Sequence, residues 1–196
     1  NKYLIAKGID VVETDLGERI LQLMNLKPAH IVVPAAHITR DEVGELFEKD
    51  GISKDIGNHD PTYLTQCARY SLRQEFIEAD AGMTGCNFGV ASTGDCVVCT
   101  NEGNADMSTS IPKLHIVSMG IDKVIPNYDA LAVFQRLLVR SATGQPSVSF
   151  TSQFRKARPG AEMHVILVDN GRSNIIADQL HWRTAKCIRC GACMNT

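Results

Sequence analysis

Short apolar runs typical of strands alternate along this chain with stretches of helical periodicity, and this alternation most constrains the fold. Helix starts are indicated by capping-box spacing at Asp15 and Thr39, and by an N-cap followed by proline at Asp60. The apolar runs predict strands at residues 9–12, 30–34, 114–119, 147–154 and 163–168. Strands that alternate with helices predict an α/β fold, with a mostly parallel sheet flanked by helices.

Two parts of this predicted sheet have distinct characters. Residues 163–168 form a continuous apolar run, which is typical of a central strand covered on both faces. Residues 88–92 and 96–100 read as two strands joined around Thr93 and Gly94, which predicts an inserted β-hairpin.

Composition excludes several classes of protein. The chain has 196 residues, of which 44% are hydrophobic and 21% charged, as in one sizeable globular domain. A formal charge of −2 gives no support for nucleic-acid binding, and no apolar run is long enough to predict a membrane span. Seven cysteines are an odd number in a chain of this size, so we expect a reducing, cytoplasmic setting.

The chain starts at Asn1 and its last residues follow a cysteine cluster directly. We therefore expect an internal fragment of a longer protein. Residues 1–179 are predicted to form the α/β domain, incomplete at its N-terminus. Residues 180–196 are predicted to begin a truncated region of the ferredoxin type.

Three cysteines in seven residues, Cys187, Cys190 and Cys193, carry the clearest chemical signal. Their C-x2-C-x2-C spacing opens the C-x2-C-x2-C-x3-C-P run of bacterial ferredoxins, which predicts ligands of a [4Fe–4S] cluster. Positive charges that suit an anionic cluster flank them at Arg183, Lys186 and Arg189. The next cysteine of the run would be residue 197 and would ligate a second cluster, so we expect no cluster or an incomplete one in this chain.

Other interpretations of the cysteine cluster remain open at this point. Structural zinc usually uses two well-separated C-x2-C pairs, although His181 could supply a fourth ligand here. A thioredoxin-like pair would need one C-x2-C motif only. A chance group of inert thiols is the third alternative.

The other cysteines are interpreted mainly as core residues. Cys96 and Cys99 also have C-x2-C spacing, but residues three apart in a strand point to opposite faces, which disfavours a shared metal. Cys86 follows Thr84-Gly85, and a nucleophilic role for it has no visible partner base.

A glycine-rich middle region carries the candidate ligand-binding residues. Polar loops at strand ends are where α/β proteins bind ligands. The candidates are Asp80, Thr84, Thr93, Asp95, Thr100, Asn101, Glu102, Gly103 and Asn104. Glu102 could act as a general base, or these side chains could simply satisfy the backbone of turns. Neither a GxGxxG fingerprint nor a P-loop is present to indicate a nucleotide.

Two further residues are candidates. His115 lies in an apolar strand, which is typical of a hydrogen-bonded core histidine and leaves a catalytic role as the alternative. Arg172 follows a predicted Asp-Asn-Gly turn and could hold a small anionic ligand.

An ordered series of motifs, at residues 13–18, 79–106, 119–126, 140–145, 168–173 and 187–193, resembles the LUD-domain iron–sulfur proteins over nearly the whole chain. The resemblance implies a fold similar to that of sugar-phosphate isomerases and CoA-transferases (the NagB/RpiA/CoA-transferase-like class), followed by a ferredoxin-like region with two [4Fe–4S] clusters. It implies a cytoplasmic complex that oxidises L-lactate to pyruvate, with other subunits as partners. By motif, Cys187, Cys190 and Cys193 would be cluster ligands, whereas no catalytic residue is carried over.

The resemblance leads to three functional hypotheses. The first is an iron–sulfur electron-transfer subunit of that lactate-oxidising complex. The second is an enzyme for a small carboxylate or an acyl-CoA that uses Glu102. The third is a module that docks partner subunits without catalysis.

Overall fold

The computed structural model describes residues 2–30 and 32–194 and divides by its internal contacts into two units, with the boundary between Glu78 and Ala79. The predicted domain boundary at residue 180 stays a prediction. In the part of the chain that is described, no helix is long and apolar enough to cross a bilayer.

The first unit consists of helices. They are α1 (Lys2–Ile5), α2 (Leu16–Met24), α3 (Arg40–Lys49) and α4 (Pro61–Glu78). The predicted helix starts are confirmed: the Asp15 carboxylate accepts a hydrogen bond from the Gly17 N–H, and Thr39 and Glu42 form a reciprocal capping box. The core of this unit is formed by Ile20, Leu46, Phe47, Leu64 and Ala68.

The predicted strand at residues 9–12 is wrong: the Ile9 N–H donates to the Leu4 carbonyl, and the Val11 carbonyl accepts from a side chain instead of a neighbouring strand. The Gln22 side-chain amide donates to the Val11 carbonyl, and the Glu13 N–H donates to the Gln22 Oε1 at 3.0 Å. These contacts hold the segment against α2 in an irregular conformation.

The predicted strand at residues 30–34 is also wrong for the residues described there, and Ile31 lies outside the described residues. The N–H groups of Val32 and Val33 both lie 3.1 Å from His30 Nδ1, which accepts their hydrogen bonds. The Ala29 N–H donates to the Pro34 carbonyl at 3.0 Å. An apolar run is therefore folded into a turn around an imidazole ring.

The second unit contains two sheets. Its strands are β1 (Ala81–Thr84), β2 (Phe88–Val90), β3 (Asp95–Thr100), β4 (Leu114–Gly120), β5 (Val124–Ile125), β6 (Phe150–Phe154) and β7 (Glu162–Val168). Its helices are α5 (Asn104–Ser110), α6 (Tyr128–Thr143) and α7 (Arg172–Ala177). The first sheet has the parallel order β1-β4-β7, and the second has the mixed order β5-β2-β3-β6. The predicted α/β class with a parallel sheet flanked by helices is confirmed.

The predicted hairpin is confirmed, since β2 and β3 are antiparallel and Phe88 lies opposite Val97. The predicted central position of residues 163–168 is wrong. These residues form β7 at the edge of its sheet, and Leu167 and Ile166, which point to opposite faces, remain 55% and 50% exposed. The central strand is β4, in which buried and half-buried residues alternate.

The second unit has a layered core. Cys86 and Cys96 pack with Val117 and Met119 between the two sheets. The opposite face of the second sheet carries the other core cluster, formed with α6 by Phe88, Val90, Val97, Ile125, Leu131 and Leu138. The cysteine segment of the sequence packs against this second cluster.

Candidate functional site

The cysteine segment at residues 187–193 follows a 3-10 helix, Trp182–Lys186, and is folded by two left-handed backbone positions. Arg189 has a φ of 59° and Gly191 a φ of 76°, so the chain turns between successive cysteines. Cys187 and Cys193 are exposed, whereas Cys190 is half-buried. The thiols are therefore accessible from solvent on one side of the segment.

The other side of the segment lies on the second unit. Ile188 and Cys190 both pack against the core cluster formed by the second sheet and α6. The two residues flank Arg189, which turns toward a carboxylate of the same unit. The segment is thus seated by apolar contacts on each side of an ionic one.

That carboxylate belongs to Asp122, in the 3-10 helix Ile121–Lys123 directly after β4. Asp122 Oδ2 lies 3.4 Å from Arg189 Nη2, and its Oδ1 lies 3.6 Å from Arg172 Nε. The Asp122 side chain is only 6% exposed. Burial lowers the pKa of the neighbouring Lys123 amine, and the Arg189 guanidinium lowers that pKa further. Two arginines therefore pair with one buried carboxylate beside the cysteine segment, and Lys123 follows that carboxylate in the chain.

The donor set fits an iron–sulfur cluster. Three thiols within seven residues are the ligand type that such clusters require, and surplus positive charge nearby suits an anionic cluster. Within residues 2–30 and 32–194, no group of three His, Cys, Asp or Glu side chains is gathered around one point. Cys187, Cys190 and Cys193 are the residues that would hold a cluster.

Cys96 and Cys99 behave as the sequence predicts. Cys96 is 3% exposed and packs between the sheets, whereas Cys99 packs against the cluster on the opposite face. Cys86 is equally buried, and its thiol donates to the Phe88 carbonyl at 3.0 Å. A hydrogen bond with Cys96 lowers the pKa of the Cys86 thiol, and the same bond raises that of Cys96.

The structure brings Thr84 and His115 together. Thr84 Oγ1 lies 2.9 Å from His115 Nε2, and the His115 ring packs edge-on against Phe154 with centroids 4.8 Å apart. Burial lowers the pKa of His115, so its imidazole is neutral at pH 7. This arrangement is that of a hydrogen-bonded core histidine.

Thr93 and Asp95 also meet, in a network at the start of β3. Arg155 donates to both Asp95 oxygens at 2.9 Å, and the hydroxyls of Thr93 and Tyr128 donate to the same carboxylate. The Arg155 guanidinium, followed by the two hydroxyls, holds the pKa of Asp95 well below its usual range. Asp95 therefore joins β3, the end of β6 and α6 as an anion.

The remaining candidates lie at the other end of β3. Thr100 Oγ1 donates to the Glu102 carbonyl at 2.6 Å, and Ser149 Oγ donates to Asn101 Oδ1 at 3.4 Å. Glu102 and Gly103 are half-buried, and Asn104 Oδ1 is buried with no hydrogen-bond partner among the described residues. Asp95 and Thr100 are separated by the length of β3, roughly 17 Å at the usual rise per residue, so the predicted ligand residues do not form one site.

Two of the candidates lie elsewhere. Asp80 is exposed in a bend just before β1. Arg172 starts α7 and pairs with Asp122, so the anion it meets is part of the chain. A shallow groove along the ends of β6 and β7 contains none of the predicted residues. It is lined by Arg155, Lys156, Ala157, Ala161, Glu162, Met163, His164 and Val165.

Sequence reasoning missed Asp122, Arg155 and Tyr128. Asp122 lies in a motif that the sequence analysis singled out, but its contact with Arg189 spans 67 positions. No local pattern signals a pair so far apart. Gly120, two residues earlier, is a local sign that another group approaches the backbone closely there.

Comparison with known proteins gives three results. The model of the LUD domain family matches residues 2–170. The chain is 43% identical over 203 residues to Lactate utilization protein B of Macrococcus caseolyticus (strain JCSC5402), and 44% identical over 202 residues to the protein of that name from Bacillus pumilus (strain SAFR-032). Each alignment covers 100% of this chain and 42% of the relative, so the chain spans about two fifths of the relatives' length.

Among solved structures, a DUF162 family protein from Deinococcus radiodurans is 21% identical, with a TM-score of 0.36. The match covers 48% of this chain and 57% of that one. A similarity this weak supports no functional inference.

Proposed function

The chain belongs to the LUD domain family, and from that premise we propose that it serves in lactate utilisation by carrying ligands of a [4Fe–4S] cluster for electron transfer. In this proposal, the longer protein is the iron–sulfur subunit of a cytoplasmic complex that oxidises L-lactate to pyruvate. The names of the relatives support the metabolic role, and the cysteine segment supports the cluster.

The observation that carries the proposal is the seating of the C-x2-C-x2-C segment. Ile188 and Cys190 pack on the core of the second unit, while Cys187 and Cys193 face solvent. A cluster bound there would be shielded on one side by the domain and open to a partner on the other. Arg189, Lys123 and Arg172 would offset its negative charge.

A bound [4Fe–4S] cluster supplies the transfer of single electrons. Oxidation of L-lactate to pyruvate releases two electrons and two protons, so this step is assigned to another cofactor or subunit of the complex. The residues of this chain bind, orient and shield. Cys187, Cys190 and Cys193 would bind iron as thiolates, and the domain behind Cys190 would shield that side of the site from water.

The first prediction tests this role by anaerobic reconstitution of the chain with iron, sulfide and a small thiol that can fill open coordination positions. We expect iron and sulfide in the purified protein, a broad visible absorption and an EPR signal after reduction. Cys190→Ser should lower the iron content several-fold, because a ligand is lost. Cys67→Ser is the matched control, since Cys67 is half-buried in α4, outside the segment.

Two outcomes would contradict this role. One is iron content that is equal in the Cys190 and Cys67 variants. The other is zinc, without iron, in the protein prepared without oxygen, which would favour a structural zinc site instead.

A second candidate function rests on the turn after β3. Asn104 Oδ1 is buried without a partner among the described residues, and Glu102 lies two residues before it in the chain. We propose, as the alternative, that this turn binds a small carboxylate or an acyl-CoA, with Glu102 as the base. Glu102→Gln would abolish turnover with the cluster intact on this alternative, and would leave turnover unchanged if the chain only transfers electrons or docks partners.

A further inference from the structure

Asp122 is a buried carboxylate whose ionic partners among the described residues both come from the C-terminal part of the chain. Its side chain is 6% exposed, and its ionic contacts are with Arg172 at the start of α7 and Arg189 between two of the cysteines. Asp122 Oδ1 makes no hydrogen bond among the described residues. A carboxylate held out of water depends on such ionic partners, so the position of Asp122 and that of Arg189 are energetically linked.

Gly120 determines where this carboxylate lies. The Asp122 side chain folds back over Gly120, and a Cβ at that position would lie 2.4 Å from Asp122 Oδ1. The Gly120 backbone has a φ of −66°, which any residue can adopt. Glycine is therefore needed at position 120 because it leaves space for the carboxylate. It is not needed for its backbone conformation.

Arg189 is the point at which the cysteine segment meets that carboxylate. Its φ of 59° is unfavourable for a residue with a side chain, so tertiary contacts must hold it. The flanking residues Ile188 and Cys190 are held by the apolar core. Three consecutive residues of the segment are thus fixed to the second unit, and the middle one is fixed by charge.

We propose that Asp122 is a positioning residue that fixes the Cys187–Cys193 segment on the second unit through Arg189, with Arg172 sharing the buried charge. The inference deepens the proposed cluster site and rests on it for its functional meaning. The anchoring itself is a property of the metal-free chain. The α/β domain thereby sets the position of Cys190 before any metal binds.

The test measures how well the domain protects Cys190 in the reduced, metal-free chain. A neutral alkylating reagent is added, and mass spectrometry follows each cysteine. Each native rate is divided by the rate for the same cysteine in denaturant, which corrects for intrinsic reactivity. The variants are Asp122→Asn and Arg189→Met, and Arg183→Met is the control that removes an equal charge from the exposed 3-10 helix before the segment.

The two variants change the local charge in opposite directions. Loss of a negative charge makes a thiolate easier to form, and loss of a positive charge makes it harder. A purely electrostatic effect would therefore move Cys190 reactivity in opposite directions. Release of the segment moves it in one direction. We expect both variants to raise normalised Cys190 alkylation about tenfold, because each variant removes the ionic contact between Arg189 and the buried Asp122 carboxylate. Arg183→Met should change it less than twofold.

Unchanged Cys190 protection in both variants, with the fold intact by circular dichroism, would overturn the proposal. Opposite changes in the two variants would also overturn it. Gly120→Ala gives an independent check, because it displaces the carboxylate without removing a charge and should reproduce the effect of Asp122→Asn. If the unsubstituted chain binds no iron, the proposed function fails. The alkylation result still shows whether Asp122 anchors the Cys187–Cys193 segment.

Discussion

At the scale of single residues, burial shifts the pKa values of two side chains in opposite directions. His115 is a buried, neutral imidazole bonded to Thr84, and burial lowers its pKa from 6.5. Glu18 is a half-buried carboxyl in α2, and burial raises its pKa to about 8, with a further rise from its hydrogen bond to Asp15. The first group should limit stability in acid and the second in mild alkali.

Because its pKa is lowered in the folded state, His115 should destabilise the fold in acid. The unfolded chain binds a proton at His115 near pH 6.5, and the folded chain binds it only at lower pH. This contribution to the free energy of unfolding is therefore complete above pH 6.5 and declines as the pH falls through the folded pKa. Denaturant titrations between pH 7 and pH 5 should show that decline, and His115→Gln should flatten it. An equally steep decline in the variant would contradict the assignment.

The Glu18 prediction has the opposite sign. The contribution of Glu18 to the free energy of unfolding is complete below pH 4.5, the usual pKa of a glutamate. It is lost as the pH rises through about 8, the pKa of Glu18 in the folded chain. Unfolding measured between pH 6 and pH 9 should show a falling free energy that Glu18→Gln removes. Glu45→Gln, at an exposed position of α3, is the matched control and should leave the slope unchanged.

At the scale of elements, the backbone of α5 packs directly against β1 of the first sheet at Gly82. A Cβ at Gly82 of β1 would lie 1.8 Å from the Ser108 carbonyl oxygen of α5, and that atom belongs to the backbone. A Cβ at Gly85, three residues later, would meet nothing within 4 Å. Comparing the two glycines therefore separates the effect of this close contact from the general effect of replacing a glycine by alanine.

We expect Gly82→Ala to lower the free energy of unfolding by at least the ~1–3 kcal/mol usual for overpacking, because α5 must move away from β1. Gly85→Ala should change it by less than about 1 kcal/mol. Chemical denaturation of both variants checks the difference. Equal effects would show that α5 is not held by this contact.

Elements also show where the sequence was sufficient. The helix starts at Asp15, Thr39 and Asp60 were predictable because a cap involves neighbours within three residues. The edge position of β7 was not predictable, because a run of apolar residues looks the same at the edge and at the centre of a sheet. The strands predicted at 9–12 and 30–34 were wrong because the side chains of Gln22 and His30 form hydrogen bonds with backbone groups of these segments.

At the scale of the whole molecule, the two units have separate cores. Phe47 is 1% exposed in the first core, and Leu131 is 2% exposed in the second. Truncation of a buried side chain removes its contacts and leaves a cavity. Each truncation should therefore act on its own unit.

We expect Phe47→Ala to cost about 3–5 kcal/mol and Leu131→Ala about 2–5 kcal/mol. Hydrogen exchange should rise in α2, α3 and α4 for the first variant, and in β2, β3 and α6 for the second. A rise that spreads equally over both units in each variant would show a single cooperative core instead.

The sequence by itself determined the α/β class, the helix caps, the hairpin and the cysteine segment, because each depends on residue type and on neighbours close in the chain. Only the tertiary structure decided that β7 lies at an edge and that the predicted ligand residues separate along β3. It alone brought Asp122 to Arg189, 67 positions away. The physical reason is that local patterns fix backbone conformation, whereas contacts between distant residues depend on how the two sheets and their helices pack.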